Sequence, residues 1–197
     1  MLTSFSFIAT EAQISRAYVF GSGGVAVGEG LTYQVGTTIV LDHKWIITGA
    51  YMHATRNADH PSDFSTYSGT GYPGFEYETY PPATTKLLYA AAGPYIRYSK
   101  RISFFFDAGL GISKGDLLSF EKGRSREHKE NRYSPNYSVK YTSQTSIGSI
   151  IRAGTDVLIA RSVGMGFDIY YNYNGGGLQN NFGLNVKLLL GYLQEED

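Results

Sequence analysis

The sequence has no cysteine and few charged residues. The absence of cysteine excludes disulfides, thiolate metal sites and cysteine nucleophiles. Charged residues make up 17% of the 197 residues, and 17 basic side chains balance 17 acidic ones. A chain without excess charge has no overall electrostatic attraction for nucleic acid, so we expect no nucleic-acid partner.

Long apolar stretches are also missing. The longest candidate, residues 87–96, is interrupted by Gly93 and Pro94. A membrane-spanning helix needs roughly 18 or more continuous apolar residues. The sequence therefore does not predict a helical membrane protein.

The first 13 residues, MLTSFSFIATEAQ, resemble the end of a secretory signal peptide. An apolar run over residues 2–9 leads to Thr10 and Ala12, small residues that suit the positions before a cleavage site. The basic start of such a peptide is missing. The segment is therefore either a signal-peptide remnant or a disordered or strand-forming N-terminus, and residues 14–197 have the length of a single domain.

Glycine, tyrosine and strand-forming residues are abundant. The chain has 24 Gly and 17 Tyr, and runs of Val, Ile, Tyr, Phe and Thr in alternation are separated by turn-forming residues, which is typical of β-strands. We predict eight strands, over residues 17–27, 31–41, 45–55, 85–98, 102–113, 141–158, 163–173 and 182–193.

The connections between these strands differ in length in a regular way. The second, fourth and sixth are short polar turns, at residues 42–44, 99–101 and 159–162. The third and fifth are long, at residues 56–84 and 114–140. Successive connections of an up-and-down barrel lie at opposite ends, so both long loops fall at the same end. Transmembrane barrels have this arrangement.

Side-chain alternation indicates which face of the strands is outside. In the fifth strand one face is wholly apolar and the other mixes small, polar and charged residues. The two faces are Ile102, Phe104, Phe106, Ala108, Leu110 and Ile112 against Ser103, Phe105, Asp107, Gly109, Gly111 and Ser113. A soluble barrel keeps its bulky apolar face inside, whereas a membrane barrel turns it toward lipid. The small, Gly-rich polar face suits a narrow interior, so the fold class is predicted as all-β, an eight-stranded antiparallel up-and-down transmembrane β-barrel.

Two adjacent motifs resemble a known family. GPYIRY at residues 93–98 is followed, after a short turn, by an apolar strand ending in DAGLG at residues 107–111. This pair resembles the fourth and fifth strands of the small outer-membrane β-barrel proteins common in Bacteroidetes, which share the OmpA-type and OmpX-type architecture. The resemblance implies an integral, multi-pass protein of the bacterial outer membrane.

The predicted strand phases place charged residues inside the barrel. These are three cations and three anions: Arg97, Asp107, Arg152, Asp156, Asp168 and Lys187. Balanced partners can offset the cost of burying charge. A structural ion-pair network that plugs the lumen is one interpretation, and a gated ion path made by partners that switch is the other. We expect Arg97 to approach Asp107, and Arg152 to approach Asp168.

The two long loops differ in charge. The first is acidic and aromatic and the second is largely basic, and Tyr and Arg are common in recognition surfaces. The candidate binding residues are Tyr67, Tyr72, Phe75, Tyr77, Tyr80, Arg124, Arg126 and Arg132. The loops either form a binding surface for an extracellular ligand or pair with each other in solvent.

The sequence offers little catalytic chemistry. The four histidines, His43, His53, His60 and His128, lack metal-ligand spacing, so no metal or cofactor is expected. His53 with Thr55 is the nearest approach to a nucleophile–base pair. GSGG at residues 21–24 is not a phosphate loop, because no helix and no Lys-Ser or Lys-Thr pair follows it.

These observations predict a monomeric barrel without enzymatic activity, in contact with membrane lipid and lipopolysaccharide. Its function would be structural, adhesive or ligand-binding through the loops at residues 56–84 and 114–140. One alternative is a narrow porin-like passage for ions or small solutes. The other is an enzyme that modifies lipid A.

Overall fold

The computed structural model describes residues 13–27, 30–57, 59, 61–62, 68–70, 76–78, 81–122 and 137–192. Its strands are β1 (Ile14–Ala26), β2 (Gly30–Leu41), β3 (Trp45–Asn57), β4 (Ser68–Thr70), β5 (Glu76–Glu78), β6 (Pro82–Arg97), β7 (Ile102–Lys122), β8 (Tyr137–Ala160), β9 (Val163–Asn174) and β10 (Asn181–Tyr192). All except β4 and β5 form one closed antiparallel barrel, in which β1 pairs with β10. The predicted eight-stranded up-and-down barrel is confirmed. The possible signal-peptide residues before Gln13 lie outside the described residues.

The two ends of the barrel differ. At one end, which we call the turn end, the strands are joined at residues 42–44, 98–101 and 161–162. The turn at residues 42–44 has positive φ at Asp42 (49°) and His43 (54°), and the backbone N–H of Lys44 donates to the carbonyl oxygen of Leu41 at 2.9 Å. Positive φ at two successive central residues is typical of a type I′ turn, whose twist matches the right-handed twist of the flanking strands. The opposite end, the loop end, carries the longer connections.

Side chains alternate across the barrel wall as the sequence predicted. On β7, Phe104 and Phe106 are about half exposed on the outside, while Phe105 and Asp107 are buried inside. The strands β9 and β10 show the same alternation, with apolar residues outside and Asp168, Asn185 and similar side chains inside. The interior is therefore the polar side of the wall. Among the described residues there is no helix that could cross a membrane.

The predicted bounds of the loop at residues 114–140 are wrong at both ends. β7 continues to Lys122 and β8 begins at Tyr137, while the pairing of β7 with β6 ends at Gly115. Beyond that point β7 and β8 form a ribbon above the barrel wall. Cross-strand contacts stabilise it: Phe120 and Tyr137 meet edge to face with ring centroids 6.4 Å apart, and an ion pair of 2.7 Å joins Lys140 to Glu121. Mixed charge, which is common in loops, concealed these strands in the sequence.

The other long loop also contains strands. β3 extends to Asn57 and β6 begins at Pro82, and the short strands β4 and β5 pair between them. The predicted loop over residues 56–84 is therefore shorter than expected and includes a small hairpin.

Glycines on the inward face of β7 allow close approach between strands. A Cβ added to Gly109 would collide with the carbonyl oxygen of Ala90 and lie 2.6 Å from the Cα of Ala91. By contrast, a Cβ added to Gly21, on the outward face of β1, would meet no atom within 4 Å. The β6–β7 contact therefore requires glycine at position 109, whereas β1 does not require it at position 21.

We predict that Gly109→Ala destabilises the barrel by about 1–3 kcal/mol, the usual cost of overpacking. The matched control Gly21→Ala should change stability by less than about 0.5 kcal/mol. The measurement is the midpoint of urea unfolding of each refolded variant in lipid vesicles. Equal losses for the two variants would contradict the proposed close approach of β6 and β7.

Candidate functional site

The lumen contains five of the six charged residues predicted for it. Asp107, Arg152, Asp156, Asp168 and Lys187 are all buried, none more than 4% exposed. They belong to β7, β8, β9 and β10. Each has the inward phase of its strand, so all five side chains point into the lumen.

Arg97 is placed differently from the other five. It has the inward phase but is the last residue of β6, where it is partly exposed at the turn end. The expected approach of Arg97 to Asp107 is wrong, because Asp107 lies directly opposite Arg152 in the register and pairs with it. Because β7 and β8 are neighbouring strands of the barrel wall, the register partners Asp107 and Arg152 lie closer together than two residues at different heights could.

Arg152 lies at the centre of the lumen. Its Nε donates to Asp107 Oδ1 at 3.0 Å, one Nη donates to Asp107 Oδ2, and the same Nη donates to Thr48 Oγ1 at 3.0 Å. The guanidinium carbon lies 5.4 Å from the ring centroid of Tyr89 and 5.6 Å from that of Phe105. One cation thus joins β8 to β3, β6 and β7, with charge-assisted hydrogen bonds on one side and aromatic rings on the other.

Lys187 is the centre of a second group of contacts. Its Nζ lies 2.9 Å from Asp156 Oδ1, 3.8 Å from Asp168 Oδ2 and 4.1 Å from the ring centroid of Phe105. Asp168, expected beside Arg152, has Lys187 as its ion-pair partner instead. The ring of Phe105 contacts both cations and so connects the two groups.

Neutral side chains extend this network to the opposite wall. The hydroxyl of Tyr18 on β1 donates to Asp156 Oδ2 at 2.6 Å. The amide of Asn185 donates to Asp168 Oδ1 at 3.0 Å and accepts from Thr32 Oγ1 on β2 at 2.7 Å. Each buried carboxylate therefore has at least one hydrogen-bond donor in addition to a cation.

Arg16 is a buried cation that the sequence reasoning missed. It is 1% exposed, and its Nη1 donates to the hydroxyls of Tyr95 (2.5 Å) and Ser103 (3.1 Å). With Arg16 in place of Arg97, the buried charges of the described lumen are again three cations and three anions. Arg16 shares the inward phase of Tyr18, but the predicted first strand began at residue 17, three residues after the start of β1 at Ile14, and so left Arg16 out.

The segment at residues 175–180 covers the lumen at the loop end. Arg56 on β3 holds it, with Nε donating to Gln179 Oε1 at 3.0 Å and Nη1 donating to the carbonyl oxygen of Asn180 at 3.1 Å. Asn174 donates from Nδ2 to the carbonyl oxygen of Gln179 at 2.6 Å, and Leu178 is buried. We call residues 175–180 the cap segment.

The candidate loop residues lie outside the part of the structure that can be described. This applies to Tyr67, Tyr72, Phe75, Tyr80, Arg124, Arg126 and Arg132. For Tyr77 only the backbone is described, as part of β5. Their role in binding stays a prediction.

His53 and Thr55 lie together on the outside of β3. His53 Nε2 is 3.1 Å from Thr55 Oγ1, within the distance expected for a base and a hydroxyl nucleophile. The ring of His53 stacks on that of Tyr33, with centroids 4.8 Å apart, and its Nδ1 has no hydrogen-bond partner among the described residues. A carboxylate that would orient the ring is thus not seen in that part of the chain. The described residues also contain no group of three metal-ligating side chains.

Comparisons with known proteins identify the fold. No protein-family model matches the sequence, and no curated protein matches it either. Among solved structures, the Neisserial surface protein A is similar, with a TM-score of 0.53 and 11% identity over 90% of this chain and 95% of that one. At this identity the similarity shows the fold alone.

Two further structures are similar at lower scores. One is a designed transmembrane β-barrel, with a TM-score of 0.49 and 9% identity over 90% of this chain and 96% of that one. The other is the attachment invasion locus protein of Yersinia pestis bound to the heparin analogue sucrose octasulfate, with a TM-score of 0.43 and 13% identity over 89% and 94% of the two chains.

Proposed function

We propose that the protein is an integral outer-membrane β-barrel with a closed lumen, which acts through its loop end as a structural, adhesive or ligand-binding protein rather than as an enzyme. The observation that carries the proposal is the combination of an apolar outer wall with an interior sealed by paired charges.

The outer wall has the properties of a surface that faces lipid. Large apolar side chains cover it, and most are 40–75% exposed, including Phe167 (51%) and Leu188 (49%). A strand of 12 residues such as β9, at about 3.3 Å per residue and a tilt near 40°, spans about 30 Å. Tyr98 (75%) and Trp45 (57%) lie at the turn end and Tyr173 (52%) toward the loop end, as expected for aromatic girdles. Such a surface in water would be a severe aggregation liability.

The lumen supports a closed barrel rather than a channel. The contacts of Arg152 and Lys187 reach across the interior, and apolar side chains lie on both sides of this layer. Met52, Leu87 and Ile150 lie on the loop-end side of this layer, and Val40 and Leu189 lie on its turn-end side. Each of the five is at most 1% exposed. An eight-stranded interior is just wide enough for side chains to fill it, and the cap segment covers the loop end.

The two alternative functions have weaker support. A narrow passage would need the central ion pairs to separate, and separation would leave each buried charge without its partner, which is costly. A lipid-modifying enzyme would need a base–nucleophile pair with an oriented histidine. The pair His53–Thr55 has the distance but not, in the described residues, the third partner.

The first prediction tests the membrane-facing wall. Phe106→Arg, near the middle of the apolar outward row of β7 at residues 102–112, should reduce stability by about 2–4 kcal/mol, because an arginine near the centre of the bilayer is costly. Ile147→Arg, at the loop-end limit of the apolar outer wall and opposite Ile112 in the register, should cost about 0–1 kcal/mol. Urea unfolding in lipid vesicles measures both. If Phe106→Arg were as stable as Ile147→Arg, the wall would not be embedded in lipid.

The second prediction tests the lumen network. Arg152→Met and Asp107→Leu should each cost about 3–5 kcal/mol, since each leaves a buried charge without its partner. The double variant should lose less than the sum of the two single losses, because interacting residues are not additive. Urea unfolding of the three variants gives the coupling energy. Strict additivity would show that Arg152 and Asp107 do not act as a pair.

The same proteins test the closed lumen. In planar bilayers the wild-type protein should show no large, stable conductance, because the central ion pairs fill the cross-section. The double variant Arg152→Met with Asp107→Leu replaces charge by apolar side chains and should also stay closed. A large steady conductance of the wild type would favour the porin-like alternative.

A further inference from the structure

Two lysines lie side by side on the outside of the barrel near the loop end. Lys86 on β6 and Lys114 on β7 are directly opposite each other in the register, and both are exposed. In an antiparallel pair, side chains in this position have Cβ atoms about 4.5–5.5 Å apart. In the described part of the barrel wall, which on β7 ends at Gly115, Lys86 and Lys114 are the two basic residues at outward positions.

The lysines mark the boundary between an apolar and a polar surface. The next outward residues toward the turn end are Leu88 on β6 (63% exposed) and Ile112 on β7 (61%), which are also register partners. One outward position toward the loop end, the strands carry Thr84 and Asp116, whose side chains are joined by a hydrogen bond of 2.6 Å. The change from apolar to polar thus takes place at the lysine pair.

The two lysines form no ion pair within the described part of the chain. Like charges directly opposite on one face are destabilising, yet neither ammonium group takes part in an ion pair there. The nearest acidic residue in sequence on either strand is Asp116, and its Oδ2 accepts from the hydroxyl of Thr84. The carboxylate of Asp116 keeps its charge in this hydrogen bond, so it offsets at most one of the two lysine charges.

Aromatic residues continue the row of lysines around the barrel. His53 on β3 is the register partner of Lys86, and Tyr33 on β2 is the register partner of His53. The two rings are stacked, and Tyr51 lies 6.4 Å from Tyr33 between ring centroids. Tyrosines with an apolar ring and a polar end favour the membrane–water interface. The aromatic residues therefore support an interfacial position for this part of the wall.

We propose that Lys86 and Lys114, with His53 and Tyr33 beside them, form a binding site for the phosphate of an anionic lipid headgroup in the leaflet at the loop end. The inference rests on the proposed function, since only a membrane-embedded wall presents this row to headgroups. Two ammonium groups at this spacing suit the oxygens of one phosphate or of two neighbouring ones.

The surroundings favour a lipid over a soluble anion. Leu88 and Ile112 continue the site toward the membrane centre as an exposed apolar surface, which acyl chains of the same molecule would cover. A free phosphate would contact the lysines alone. Lysine side chains also bury their methylene stems on apolar surface while the charged end stays at the interface, which fits their position above Leu88 and Ile112.

The experiment compares lipids retained by the refolded full chain in native mass spectrometry. The probes are phosphatidylglycerol, which is anionic, and phosphatidylcholine with the same acyl chains, which is zwitterionic. The wild-type protein should prefer phosphatidylglycerol. Lys86→Gln with Lys114→Gln should reduce that preference by roughly 30-fold, or about fivefold for each lysine near a membrane surface.

Matched variants separate this site from general charge attraction. Lys100→Gln with Arg101→Gln removes the same charge from the exposed turn at the other end and should reduce the preference much less. Lys86→Arg with Lys114→Arg should keep it. An unchanged preference in the Lys86/Lys114 glutamine variant, or an equal loss in the Lys100/Arg101 variant, would overturn the proposed site.

A competition arm distinguishes a lipid from a soluble anion. Inorganic phosphate, added at the concentration of the lipid, should leave the bound phosphatidylglycerol in place. If phosphate displaced the lipid at this concentration, the lipid assignment would be overturned. Far-UV circular dichroism of each variant in vesicles checks insertion separately. A wild-type protein that fails to insert would contradict the proposed membrane function, whereas an inserted protein without lipid preference would contradict only this site.

Discussion

The ion pair between Arg152 and Asp107 is the interaction on which the rest of the barrel interior depends. An eight-stranded ring is just wide enough to be filled by side chains, so a guanidinium in its middle contacts several strands at once. A buried charge that loses its partner costs several kcal/mol. The residues that face Arg152 therefore have to supply a carboxylate, a hydroxyl and aromatic rings, which are Asp107, Thr48 and Tyr89 with Phe105.

The outside of the same strands meets the opposite requirement. On β7, Phe106 faces outward and Asp107, its neighbour, lies at the centre of the lumen. A shift of one residue in the pairing would place the carboxylate in lipid and the phenyl ring among the lumen charges. Both faces therefore select the same register, in which Asp107 is opposite Arg152 and Phe106 is opposite Ala153. This double selection explains why the alternation is regular where the barrel is closed.

The sequence predicted the parts of the fold that follow from local pattern. Alternation and short turns located eight strands and the inward phase of Asp107, Arg152 and Lys187. Partner choice could not be predicted, because it depends on which residues the register places opposite each other: Asp107 pairs with Arg152 and not with Arg97. The ribbon of β7 and β8 was missed since its charged residues resemble those of a loop. Arg16 was missed because the predicted first strand began at residue 17, after it.

The distribution of specific features along the barrel axis favours the loop end as the functional end. The turn end consists of short connections whose hydrogen bonds are local, such as that between Lys44 and Leu41. The loop end carries the ribbon, the cap segment held by Arg56, and the row of Lys86 and Lys114 at the apolar boundary. None of these features is needed to close an eight-stranded ring, and the lysine pair works against stability through like-charge repulsion. Residues that lower stability and are not needed to close the barrel are best explained by a binding partner. At the position of Lys86 and Lys114 on the wall, the available partners are lipid headgroups on the membrane side and soluble ligands on the loop side.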